Sequence, residues 1–214
     1  MTATTLIGDL IGSRVSDDRQ ALHARFERAI DEVNDKFSPP TPMRITIGDE
    51  YQGMFASLGD ALSASLLVRL VLRPEGDIRH GIGRGEVEVL GTAPRVEDGP
   101  GWWAARAAIE RVEQAEGKAA TRTLRTAYVE DSSAPAGSRT SDEAAVNAAL
   151  LLRDELVTGL SERSLSVLRG LLAGQTQRDL AEELGISPSA VSQRVRADGL
   201  GTILAAHELM GGLP

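Results

Sequence analysis

Two acidic turns in this 214-residue chain could do chemistry. Asp9 closes an apolar run in LIGDLIGSR, and Asp49 lies in RITIGDEYQGMF at the tip of what reads as a hairpin. If the first strand lies beside that hairpin, the two carboxylates converge at one end of a sheet. Carboxylates facing the loop N–H groups of Ile11–Ser13 would hold a hard cation such as Mg2+ or Mn2+ together with a polyphosphate. Such cations take oxygen ligands, and successive amides cradle phosphate. Asp is also a common turn former, and spacing alone slightly favours that plainer role.

A second polar constellation lies near the other end. Pro188 stands at the first position of a helix running to Ala197, whose outward residues are Ser189, Ser192, Gln193 and Arg196, with Arg194 beside them. Gln177 and Ser187, at the starts of this helix and the one before it, complete the candidate DNA-contacting set. Ser and Gln can bond base edges or phosphates, Gln pairs with adenine, and Arg grips phosphate or guanine. Residues 186–197 contain two Arg and no acid, so the local sign suits DNA. The plainer alternative is a three-helix interaction module with a solvated polar face.

Other chemistries are excluded. The chain has no Cys, which removes disulfides, thiolate metal sites and Cys nucleophiles. His23, His80 and His207 are far apart and show no ligand spacing. Gly81, Gly83 and Gly85 are spaced G-x-G-x-G inside a strand, not G-x-G-x-x-G opening a helix, so no dinucleotide loop is expected. The net charge of −8, from 23 basic and 31 acidic residues, argues against a sequence-independent nucleic-acid coat protein. The apolar stretch Leu62–Leu72 is interrupted by Arg69 and is far short of the roughly 20 residues that span a bilayer. No membrane contact and a cytoplasmic location are expected.

These groups need elements to hold them. Thr4–Ile7 reads as a strand. Asp17-Asp18 cap a helix carrying Leu22, Phe26, Ile30, Val33 and Phe37 at helical spacing, stopped by Pro39-Pro40. Met43–Ile47 and Glu50–Phe55 form a hairpin across Gly48-Asp49. Leu58–Leu72 is a helix, Ile78–Val89 a strand, Trp102–Gln114 a helix and Thr121–Val129 a strand. The order β-α-ββ-α-β-α-β suits a ferredoxin-like α+β sheet with helices on one face. Residues 131–139, DSSAPAGSR, have the composition of a linker. Beyond it every segment is helical, and residues 151–214 carry only −2 of the net charge. Ser161 and Thr176 read as helix caps. Ala181, Gly185 and Ile186 have the small, turn and buried positions of a helix-turn-helix. Trp102-Trp103 is notable in a chain with only seven aromatic residues. Packing against the sheet or at a dimer contact is expected there more than nucleobase stacking.

QTQRDLAEELGISPSAVSQRVRA resembles the helix-turn-helix of sigma-factor region four, with Pro188–Ala197 as the recognition helix. Residues 4–115 resemble class III nucleotidyl cyclase domains through Asp9-Leu10-Ile11-Gly12, Thr46-Ile47-Gly48-Asp49-Glu50-Tyr51 and Arg79–Val87 in the same order. That resemblance implies Asp9 and Asp49 as metal carboxylates, Arg106 at the transition-state position, and Gly12, Ser13 and Arg106 near a nucleotide. Ile45 and Trp102 depart from it, standing where a base-selecting Lys or Glu and a sugar-orienting Asn would be. The combination of GDLIGSR, ITIGDEYQG and DGPGWWAAR with a terminal helix-turn-helix resembles the SatD family of bacterial proteins.

The expectation is therefore an α+β, ferredoxin-like (nucleotidyl cyclase-like) domain over residues 1–130, a linker over 131–139 and an all-α helix-turn-helix domain over 140–214. The function expected is that of a homodimeric regulator of transcription, bound to double-stranded DNA. Its degenerate cyclase-like part would sense a nucleotide or a metal, with Mg2+ or Mn2+ accompanying the nucleotide, and would not be an enzyme. The alternative is an active metal-dependent nucleotidyl cyclase or nucleotidyltransferase using Asp9 and Asp49.

Overall fold

A computed structural model of the chain describes residues 2–12, 18–46, 48–93, 95–131 and 143–214. They form β1 (Thr2–Ile11), α1 (Arg19–Phe37), β2 (Thr41–Ile45), β3 (Glu50–Phe55), α2 (Leu58–Leu72), β4 (Asp77–Glu86), β5 (Glu88–Thr92), β6 (Arg95–Asp98), α3 (Pro100–Glu116) and β7 (Thr126–Glu130). The helices α4 (Glu143–Thr158), α5 (Glu162–Leu172), α6 (Gln177–Glu183), α7 (Pro188–Ala197) and α8 (Leu200–Gly211) follow. The fold is mixed α+β. Asp17, Ser13, Ile47 and the expected linker apart from Asp131 lie outside the described residues.

The main sheet has the order β2-β3-β1-β4-β7, antiparallel except for the parallel pair β4–β7. Period-2 alternation sends neighbouring side chains to opposite faces. In β1, Leu6 and Leu10 join Tyr51, Phe55, Ile78, Ile82 and Tyr128 in a core closed by α1 and α2. Helix α1 presents Leu22, Phe26, Ile30 and Val33 to it, and its N-cap is Asp18, whose carboxylate accepts from the Ala21 N–H at 2.9 Å.

The opposite face is covered too, which corrects the expectation of helices on one side only. Helix α3 lies across β4, β1 and β7 there, packing Trp102, Ala105 and Ile109 on Ile7, Met54 and Val87. Gly81 and Gly83 make this possible. A Cβ at Gly81 would sit 2.2 Å from the Ala105 carbonyl oxygen, and one at Gly83 would sit 2.3 Å from the Ala105 nitrogen. The three alternating glycines therefore serve backbone-to-backbone contact between a strand and a helix.

Four strands also differ in their limits, the first running over Thr2–Ile11 where Thr4–Ile7 was expected. The strand expected over Ile78–Val89 ends at Glu86, and a separate two-stranded hairpin, β5–β6, follows it. The strand expected from Thr121 starts at Thr126, because Lys118–Leu124 is wound into successive turns. The expected Met43–Ile47 strand is Thr41–Ile45.

Helix α2 is apolar on nearly all sides and is covered accordingly. Its Leu62 and Val68 belong to the sheet core, whereas Leu66 and Leu70 join Leu165, Leu168, Leu180, Val191, Leu200 and Ile203 of α5–α8. Helix α4 sits on β7, where the Asn147 amide exchanges hydrogen bonds with Tyr128 N and O at 2.9 and 2.8 Å.

Candidate functional site

The polar surface near the C-terminal end is built on two short helices. Thr176 caps α6 reciprocally: its hydroxyl accepts from Asp179 N at 3.2 Å, and the Asp179 carboxylate accepts from Thr176 N at 3.1 Å. The Thr176 hydroxyl donates to the same carboxylate at 2.7 Å, and this bond, with the one from Thr176 N, lowers the Asp179 pKa. The chain then turns at Gly185, which holds φ +62°, a conformation costly for any residue with a Cβ. The Ile186 N–H closes the turn on the Ala181 carbonyl at 2.9 Å. Ser187 caps α7 through Ala190 N, and Pro188 fills the first helical position.

Burial of Leu180, Ala181 and Val191 fixes which way α7 faces. Ser187, Ser189, Gln193 and Arg196 are exposed, Ser192 is half-buried beside them, and Gln177 is exposed at the start of α6. Arg194 is different. It turns toward α5, with Nη1 3.3 Å from Ser164 Oγ and 3.9 Å from the Asp198 carboxylate, so it stands apart from the outward row.

The acidic corner of the sheet is set by register. Asp9 lies opposite Glu50 of β3 on one side and opposite Arg79 of β4 on the other, all three on the α3 face. The Leu10 N–H donates to the Asp49 carbonyl at 3.2 Å, which brings the two acidic turns side by side. Partial burial and the nearby Asp49 charge raise the Asp9 pKa, and Arg79 offsets them. Arg79 Nη1 is 2.9 Å from Asp9 Oδ2, and its other edge grips Glu116 of α3 in a bidentate pair at 2.9 and 2.7 Å. These acids raise the Arg79 pKa further. Arg106 is exposed on α3 with Nη2 3.4 Å from Glu50 Oε2, while Gly12 is exposed at the end of β1. Ser13 is outside the described residues.

A longer network of charges continues from this corner. Glu116 is 3.6 Å from Arg125, Arg125 is 3.0 Å from Asp77, Asp77 is 2.8 Å from Arg69, and Arg69 is 3.2 Å from Asp154 of α4. An alternating line of charges thus runs from Asp9 around the sheet end into the helices. Its one legible signal was Arg69, the only charge in the apolar stretch Leu62–Leu72, which is fully buried.

Asp9, one of the two carboxylates expected to hold a metal, is thus an ion-pair partner in this corner. Among the described residues no group of three or more His, Asp or Glu could hold a metal.

Among solved structures, the chain is similar to that of a bacterial light-regulated adenylyl cyclase, with 14% identity and a TM-score of 0.46 over 59% of this chain and 74% of that one. A regulator of polyketide synthase expression from Bifidobacterium adolescentis is similar at 14% identity and a TM-score of 0.27, over 99% of this chain and 85% of that one. No curated protein matches the sequence. No helix among the described residues is long and apolar enough to cross a membrane. The sequence profile of the SatD family matches residues 3–210, nearly the whole chain, which therefore belongs to the SatD family.

Proposed function

We propose that this protein is a dimeric DNA-binding regulator in which α6, the Gly185 turn and α7 act as a helix-turn-helix, with α7 as the recognition helix. The observation that carries this reading is the split of α7 into two sides. Val191 is buried on one, while Ser189, Gln193 and Arg196 are exposed on the other, with no acid between residues 186 and 197. A helix presenting Ser, Gln and Arg from a rigid apolar seat is suited to the major groove, which carries the more informative donor and acceptor pattern. Arg196 and Gln193 are the groups assigned to guanine or phosphate and to adenine. Ser187, Ser189, Ser192 and Gln177 are assigned to phosphate or base edges.

In this reading the sheet part, ferredoxin-like in order and nucleotidyl cyclase-like in its motifs, holds and tunes the DNA-binding helices. Two copies acting together would engage half-sites about one helical turn apart. The test is a gel shift with the DNA immediately upstream of the protein's own gene. Specific retardation should weaken steeply with salt and be lost in Gln193→Ala/Arg196→Ala, since each good base contact contributes roughly 1–3 kcal/mol. Binding unchanged in that variant would remove α7 from the interface and refute the assignment.

A further inference from the structure

We propose that Arg79 is the built-in cation of the Asp9 corner: its guanidinium takes the place of a divalent metal ion, and the corner admits Mg2+ or Mn2+ only when Arg79 is removed. The proposal rests on this pairing alone and holds whether or not α7 binds DNA.

Three features support it. The first is register: the antiparallel β1–β4 pair places Asp9 opposite Arg79, so the cation comes from within the sheet itself. The second is anchoring. An arginine on a free stem could swing away from an arriving ion, but both Glu116 oxygens hold the far edge of Arg79, at 2.9 and 2.7 Å. The side chain is largely covered, 16% exposed, which further limits its freedom. The third is charge. Asp9 and Asp49 together would suit a divalent ion, but the Asp9 carboxylate is already engaged at 2.9 Å by a group that cannot be deprotonated at any working pH. An arriving dication would face that fixed positive charge at close range. Moving Arg79 aside would also leave Glu116, among the described residues, with the more distant Arg125 at 3.6 Å as its cation. Ligation by Asp9 therefore requires breaking an organised set of charges.

The experiment is a Mn2+ titration followed by electron paramagnetic resonance on the full chain, its Arg79→Gln and Asp9→Asn variants, and the Arg79→Gln/Asp9→Asn double variant. Circular dichroism checks that each is folded. The expected result is equal, weak Mn2+ uptake by the wild type and Asp9→Asn. Folded Arg79→Gln should bind at least about tenfold more tightly, a difference of about 1.4 kcal/mol, and the double variant should fall back to the wild-type level. Wild-type binding that is lost in Asp9→Asn would overturn the proposal, and so would a folded Arg79→Gln that gains nothing. Should Arg79→Gln fail to fold, the wild-type and Asp9→Asn pair decides: equal uptake supports the built-in cation and unequal uptake overturns it.

Discussion

The Asp154 carboxylate makes a sharp energetic prediction. It has no exposed surface, accepts from the Arg125 and Thr126 backbone N–H groups at 2.7 Å each, and meets Arg69 at 3.2 Å and Arg153 at 3.5 Å. Asp154→Ala would strand two amides, at roughly 1–3 kcal/mol each, and leave two buried guanidiniums short of an anion, typically about 3–5 kcal/mol. These costs overlap because the same desolvated pocket bears both, so about 5 kcal/mol is expected in total. That is comparable to the whole stability of many domains, roughly 5–15 kcal/mol, and the alanine variant is expected to be largely unfolded. Asp154→Asn is the measurable form. Its amide oxygen can still accept from the amides while the charge is lost, so about 3 kcal/mol is expected. With a urea m-value of about 2 kcal/mol/M, the unfolding midpoint should fall by about 1.5 M. A shift below about 0.3 M, with unchanged m, would show that the charge line contributes little and refute the reasoning.

Two further outcomes follow from the same structure. Gly83→Ala pushes a methyl into the α3 backbone, 2.3 Å from Ala105 N, and should lower stability by about 3 kcal/mol, read as a drop in melting temperature. His80 is fully buried, and burial, reinforced by Arg153 and Arg69, holds its pKa down to about 3 against an ordinary 6.5. The unfolded chain binds this proton first, so the contribution of His80 is intact above about pH 6.5 and is lost as pH falls from there toward 3. The loss should be about 2 kcal/mol at pH 5. In Asp/Glu-rich chains other groups add acid sensitivity, so the diagnostic is a shallower slope over pH 6.5–5 in His80→Gln, measured by denaturation at a series of pH values.

How far the sequence revealed this arrangement depended on the range of the interaction. Helix α1, the Ser161 and Thr176 caps and the Gly185 turn are specified by neighbours a few residues apart, and their residue types state their roles directly. The β5–β6 hairpin was not legible. Val89, Leu90 and Val96 are exposed, so EVLGTAPRVED lacks the alternation that burial on one face imposes. The cover of the second sheet face was half visible. The alternating glycines mark a close approach, but nothing local says that α3 makes it. The Asp9–Arg79 pair was hidden for the same reason: its partners are 70 positions apart, and only the strand order brings them opposite one another. Arg69 and Asp154 are separated by 85 positions, and the chemistry of each is sensible only beside the other.

Helix α2 has a consequence for how this chain can be taken apart. Leu66 and Leu70 face the bundle, while Leu62 and Val68 face the sheet, so one 15-residue segment is a party wall. A fragment cut in the 131–139 region would carry the bundle away without its seat, exposing the apolar sides of α5 and α8 that pack on α2. Grafting α5–α8 onto another carrier would require transplanting a matching α2 surface with it. Substitutions that drift on either side of this wall are therefore constrained together, and the two halves of the chain must evolve as joint tenants.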